Sequence, residues 1–350
     1  MAAITIGEAR AKLNTPSPGF SEALRARPFP DLTGGDPNAR RGVEIRQNRK
    51  DHLQRIRHLY TIPGPIPDHV REYEHHITAR DGHRLRLLIY VPVQKPDAGS
   101  PLFTFHEGGW SLGDVSDCNQ ECRMFARDLG CVCVNVDYRL APEYAFPTGV
   151  LDAWDAVKWA AATASPSSEV LPADPKLGFV VGGSSAGANF SAVIALLSRD
   201  ENLSPSITGQ WLSVPALLWH TATPDKWKDI LQSRYEAKSD PILNVLAQAS
   251  AIMECLKPDL GSPLFSPMLN PSFKELAPAY IQVAGLDPVL DEGILYEQEL
   301  RKWGVTTKLG YYGGVPHMFH CNWPEMLVAR KYVQDTLEGV RWLLEVGRKR

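Results

Sequence analysis

The spacing of apolar and polar positions divides the chain into stretches of different period. Residues 1–65 are polar and interrupted by proline, with helical spacing in places, most clearly the amphipathic segment Asp51 to Tyr60. From Arg71 the pattern becomes strand-like. Glu72 to Thr78, a turn at Asp81-Gly82, and Leu85 to Val91 with a stop at Pro92 predict a hairpin. Short apolar runs then alternate with helical patterns. The predicted strands are Leu102 to Phe105, Cys131 to Val136, Leu177 to Val181 and Ile207 to Val214. Between them lie helices over Asp117 to Leu129, over Pro147 to Ala162 with Leu151, Trp154, Val157 and Trp159 on or near one stripe, and from Ala186, where no charge intervenes until Arg199. Alternation stops over 219–275. That stretch carries several prolines and one predicted helix, Ile242 to Leu256, with Asp240 as N-cap and Pro241 in its first turn. It resumes with a strand at Ala279 to Ala284, a helix at Gly293 to Trp303, a strand at Thr307 to Tyr312, and an amphipathic helix from Pro324 to about Val346.

Strands alternating with helices predict an α/β fold: a mostly parallel sheet covered on both faces, with the hairpin as its antiparallel edge. The expected organisation is an N-terminal cap segment (1–65), a first part of the core (66–218), a cap insertion that is a candidate lid (219–275), and a second part of the core (276–350).

Composition narrows the partners. The 350 residues carry a formal charge of -3 and are 44% apolar, and no long block of like charge points to nucleic acid. Arg40, Arg41, Arg46, Arg49, Lys50, Arg55 and Arg57, interspersed with Glu44 and Asp51, read as a solvated helix face. The first twenty residues lack the basic and apolar regions of a secretory signal, and no apolar run reaches membrane-spanning length, so a cytoplasmic location without membrane contact is expected. The six cysteines lack metal-ligand spacing and read as reduced core residues; no metal and no cofactor are expected. The last strand and helix offer an edge for homodimerisation.

Gly183-Ser184-Ser185-Ala186-Gly187 falls between a predicted strand and a buried helix. On so sharp a turn a serine can be held in a strained conformation with its hydroxyl exposed, and the following helix directs free N–H groups toward it. A serine needs a base, and the base needs a carboxylate. His317 and His320 both follow the last predicted strand. His317 occupies the required strand end, whereas His320 is expected further round and exposed. Of Asp287 and Asp291, the latter reads as the N-cap of the next helix, leaving Asp287 as the acid. His106-Glu107-Gly108-Gly109-Trp110 supplies glycine N–H groups for an oxyanion hole beside that of Ala186, with His106 orienting its loop rather than moving a proton.

With HEGGW at 106–110, VDYRLAPEYAFP at 136–147, GSSAG at 183–187, DPVLDEG at 287–293 and HMF at 317–319, the chain resembles the hormone-sensitive-lipase family of α/β-hydrolases over about Pro101 to Phe319. The order Ser185, Asp287, His317 is that of the α/β-hydrolase fold. The resemblance implies a serine carboxylesterase, with Gly108, Gly109 and Ala186 as oxyanion donors. Asp137, Arg139 and Glu143 would form a buried ionic brace for the loop, and a helical cap would be built from the N-terminus and the insertion. The expected substrate is a small or medium ester. Alternatives are a thioester or lactone hydrolase, a dehydratase acting on a secondary metabolite, and a non-catalytic small-molecule receptor; receptors on this scaffold lack the histidine that is present here. The chain departs from the family at Glu107, where glycine is usual, and at Ser184, where Asp or Thr is usual. A carboxylate facing the oxyanion would oppose catalysis, so Glu107 is expected to turn away and be held by a basic or hydroxyl partner.

Overall fold

The computed structural model describes residues 5–30, 43–94, 99–237, 240–243 and 254–348. Eight strands form one sheet: β1 (Val70–Thr78), β2 (Arg84–Pro92), β3 (Pro101–Phe105), β4 (Val132–Val136), β5 (Val180–Ser184), β6 (Gly209–Ser213), β7 (Ala279–Ala284) and β8 (Thr307–Tyr312). Their spatial order is β1-β2-β4-β3-β5-β6-β7-β8. The hairpin β1–β2 and the β2–β4 pair are antiparallel, and every later pair is parallel. The α/β expectation and the antiparallel edge are therefore both met.

Strands β3 to β7 are buried on both faces, which explains why their sequences are apolar runs rather than alternations. Alternate residues nonetheless serve different layers. Phe103, Val132, Val134 and Val181 pack with α5 (Thr148–Thr163) and α6 (Ala186–Asp200) on one face. Leu102, Cys133, Val180 and Trp211 pack with Phe125 of α4 (Asn119–Leu129) and Leu343 of the last helix on the other. The six cysteines are free thiols.

Strand β5 begins three residues later than the apolar run suggests, because Pro175–Leu177 forms a 3₁₀ turn. Gly182 and Gly183 consequently lie within the strand instead of ending it. At Gly183 a Cβ would stand 2.3 Å from the Phe105 carbonyl oxygen, so the glycine is dictated by close approach to β3.

Among the described residues, three α-helices precede the sheet: α1 (Ile6–Leu13), α2 (Pro18–Ala26) and α3 (Val43–Ile56). Helix α1 starts with a reciprocal Thr5–Glu8 capping box, and its Ile6 and Ala9 join the core cluster around Ile294. Helix α2 has Ser17 as its cap and Pro18 at its first position, and places Phe20 edge-on to Trp323, 5.2 Å between ring centres. The insertion includes the short helices α7 (Asp225–Lys228) and α8 (Ser233–Glu236), and its described residues 254–256 are helical. Of the helix expected over 242–256, residues 244–253 lie outside the described residues. At its predicted start Asp240 Oδ1 accepts the N–H groups of Ile242 and Leu243 at 2.7 and 2.8 Å, as an N-cap does. The chain ends in α9 (Leu290–Lys302), α10 (Phe319–Asn322) and α11 (Leu327–Gly347). Among the described residues no helix is long and apolar enough to cross a membrane.

Candidate active site

Ser185 separates β5 from α6 with φ 53° and ψ -115°, an unfavourable conformation for a residue bearing a Cβ. The turn is enforced locally: Ser185 N–H donates to the Ser213 carbonyl at 2.8 Å. At Gly187 a Cβ would fall 1.9 Å from the Phe105 carbonyl oxygen, so only glycine lets α6 start this close to β3. The Ser185 hydroxyl is thereby held at the carboxyl end of the sheet.

Two loops from neighbouring strand ends meet it there. Asp287 follows β7, and His317 follows β8. His317 Nε2 lies 2.9 Å from Ser185 Oγ, and its Nδ1 lies 2.7 Å from Asp287 Oδ2. The second Asp287 oxygen accepts the Val289 N–H at 2.9 Å, which fixes the carboxylate. With Nδ1–H donating to Asp287, Nε2 is left to accept the serine proton. Burial disfavours the imidazolium, but the charge and hydrogen bond of Asp287, with the charges of Asp240 and Glu107, together outweigh it and raise His317.

Gly108 (φ 119°) and Gly109 (φ 58°) line the same cavity as Ser185. Their loop is heavily braced. His106 stacks on Tyr138 at 4.2 Å between ring centres, its Nδ1 is 2.7 Å from the Glu107 carbonyl oxygen, and Tyr138 O–H donates to the His106 carbonyl at 2.7 Å. Those contacts are the ones a loop-orienting residue would make.

Glu107 is paired with the Arg49 guanidinium, which also holds Asp117 at 2.7 Å. The expected basic partner therefore exists, and it comes from α3. On the same face, Arg46 donates to the Ser111 carbonyl at 2.7 Å, to the Ala141 carbonyl, and to Glu143 at 2.6 Å. The basic stretch is thus not simply a solvated helix face. The three-residue spacing of Arg46 and Arg49 puts both on one side of α3, against the loop; that spacing was the available signal. Replacing Arg49 by methionine is expected to leave Glu107 and Asp117 buried without their shared cation, lowering stability by about 3–5 kcal/mol in a denaturant titration. Glu107→Gln should keep kcat/KM on a simple ester within about tenfold, as a brace made by hydrogen bonds permits.

Three further expectations need correction. Asp137, Arg139 and Glu143 do not form one buried brace. Arg139 pairs with Asp152 and Asp81, both at 2.7 Å, whereas Asp137 pairs with Arg86 at 2.9 Å and Glu143 with Arg46, both with substantially exposed carboxylates. His320 is not exposed. It is buried against Tyr332, 4.2 Å between ring centres, and burial together with His317 pushes it down to about 3. Asp291 is not the N-cap of α9, a position held by Val289. Fully buried, its Oδ2 accepts the Gln232 and Ser233 N–H groups at 2.7 Å each and pairs with Arg10 at 2.6 Å, joining insertion, core and α1.

The cavity measures about 650 Å³. Phe29 and Ile45 from the N-terminal segment and Trp219, Ile242 and Phe265 from the insertion contribute apolar walls. Among the described residues no group of three or more His, Cys, Asp or Glu side chains is placed to hold a metal ion.

A parallel sheet with a serine on a strained strand-to-helix turn, a histidine after the last strand and an aspartate after the one before it defines an α/β-hydrolase. The sequence profile of the alpha/beta hydrolase fold family matches residues 102–321. An AB hydrolase superfamily protein of Schizosaccharomyces pombe is 37% identical over 287 residues, covering 81% of this chain and 83% of its own. Versiconal hemiacetal acetate esterase of Dothistroma septosporum is 32% identical over 249 residues, covering 69% and 73%. The crystal structure of vibralactone cyclase superposes with a TM-score of 0.82 at 31% identity, covering 96% of this chain and 97% of that one. Other relatives are named as carboxylic ester hydrolase or carboxylesterase. The chain belongs to the hormone-sensitive-lipase family of α/β-hydrolases, and its class is carboxylic ester hydrolase.

Proposed function

We propose that the protein cleaves small or medium carboxylic esters through an acyl-enzyme, with Ser185, His317 and Asp287 as its triad. The reading is carried by the continuous chain of hydrogen bonds from Ser185 Oγ through the imidazole to Asp287. Ser185 Oγ attacks the ester carbonyl while His317 Nε2 takes its proton. Asp287 keeps the imidazole in the required tautomer and offsets its positive charge. The carbonyl oxygen becomes an oxyanion facing the N–H groups of Gly108, Gly109 and Ala186, the last at the start of α6 where unpaired donors are concentrated. Collapse expels the alcohol, protonated by His317. Water then attacks the acyl-serine by the same route, releasing the acid and restoring Ser185.

Residues 1–65 and 219–275 act as the cap in this reading, since both contribute to the cavity wall over Ser185. A bounded, largely apolar cavity of about 650 Å³ suits an acyl and an alcohol group of moderate size rather than a triglyceride. On p-nitrophenyl esters from two to sixteen carbons, kcat/KM is expected to peak at short or medium chains, with no jump above the micellar concentration. A maximum at sixteen carbons with interfacial activation would contradict the size assignment. Lactones and thioesters belong in the same panel. Likeness to a cyclase supports a second reading, in which a hydroxyl of the substrate itself, instead of water, receives the acyl group.

A further inference from the structure

Asp240 lies in the insertion, outside the triad, yet its carboxylate meets the catalytic loop. Oδ2 accepts the backbone N–H of His317 at 2.6 Å, across 77 residues of sequence. Oδ1 accepts the N–H groups of Ile242 and Leu243 at 2.7 and 2.8 Å. Those two residues and Pro241 line the active-site cavity. One buried side chain therefore ties the substrate-facing wall of the insertion to the residue that bears the general base.

We infer that Asp240 is a positioning residue: as a carboxylate it fixes the His317 backbone relative to the cavity wall and adds a second negative charge beside the imidazolium that forms during acyl transfer. The inference rests on the reading of His317 as the base. Three N–H groups converge on two oxygens, the pattern that favours an ionised carboxylate. The surroundings pull the other way, since burial and the charge of Asp287 push Asp240 up to about 7. His317 faces Asp287, Asp240 and Glu107, the last paired with Arg49, while His320 lies beside it on the same loop. Farther out, Glu292, paired with Arg234, faces Asp287. The two groups bear on one another: the His317 charge lowers Asp240, and the Asp240 charge raises His317. Loss of the Asp240 charge removes one of the forces that raise His317, so the histidine must then deprotonate at lower pH.

Asparagine matches the aspartate in shape but cannot present two acceptor oxygens, and its amide group opposes an N–H at one of the two contacts. The full-length Asp240→Asn and Asp240→Ala variants should be compared with wild type on p-nitrophenyl butyrate across pH 5 to 9, with thermal melting to establish folding. A roughly 10- to 100-fold fall in kcat with KM little changed is expected, the scale of a misplaced catalytic group. The acid limb of kcat/KM should move to lower pH in both variants. A folded variant whose acid limb stays in place, or whose loss is confined to KM, overturns the inference and leaves Asp240 as a pocket-shaping residue. If alanine prevents folding, the asparagine variant decides. Wild-type esterase activity with Ser185 labelled by a phosphonate, alongside unaffected Asp240 variants, defeats this inference alone; a wild type without that label defeats the triad reading beneath it.

Discussion

Ser185→Ala is expected to lower kcat by roughly 10⁴ or more while leaving the melting temperature at or above that of wild type. The loss follows from the removal of the hydroxyl that lies 2.9 Å from Nε2 of His317. Alanine also keeps a Cβ at φ 53°, so the turn retains its strain, and the buried hydroxyl is the only group lost. Steady-state kinetics on a p-nitrophenyl ester measures the effect directly. A variant retaining a tenth of wild-type kcat would mean that the chemistry runs elsewhere.

The second large effect separates two aspartates four residues apart. Asp287→Asn should reduce kcat by about 10⁴ with little change in stability, because an amide facing Nδ1 leaves the imidazole in the wrong tautomer or without its counter-charge. Asp291→Ala should act in the opposite way. It removes a fully buried carboxylate from its pair with the partly exposed Arg10 and strands the Gln232 and Ser233 N–H groups, at a cost of about 3–5 kcal/mol in stability. Residual enzyme from that variant, assayed cold, should turn over near the wild-type rate. Had Asp291 been an ordinary N-cap, the cost would be only about 1 kcal/mol. Denaturant midpoints and kcat, measured on both variants, distinguish these outcomes; a reversed pattern would transfer the triad acid to Asp291.

The fold was legible where the periodicity was unambiguous. Strands Ala279–Ala284 and Thr307–Tyr312 match the sequence expectation residue for residue, because each is an isolated run of β-forming residues beside a helical pattern. Strand β5 was misplaced because Gly182 and Gly183 look like breakers locally, while their role is to let β5 lie close to its neighbours, a contact visible only in three dimensions. The approach of Ser185, Asp287 and His317, which carries the proposed triad, was legible because the three residues sit at strand ends. Residues acting at long range were not. Arg49 reaches Glu107 across 58 positions, Arg10 reaches Asp291 across 281, and Asp240 reaches His317 across 77. Local spacing names no partner for any of them; for Arg49 it gives only the face of the helix, shared with Arg46. The error about His320 has the same origin: the histidine looks exposed until α11 supplies Tyr332 to cover it.

The central assignment, a nucleophilic Ser185 activated by His317, is tested most directly by covalent capture. Wild-type protein treated with a fluorophosphonate and digested for mass spectrometry should carry one adduct per chain, on Ser185, and the adduct should form far more slowly in His317→Ala. An adduct on Ser184 or any other residue, or labelling of Ser185 at an unchanged rate without the histidine, would contradict it.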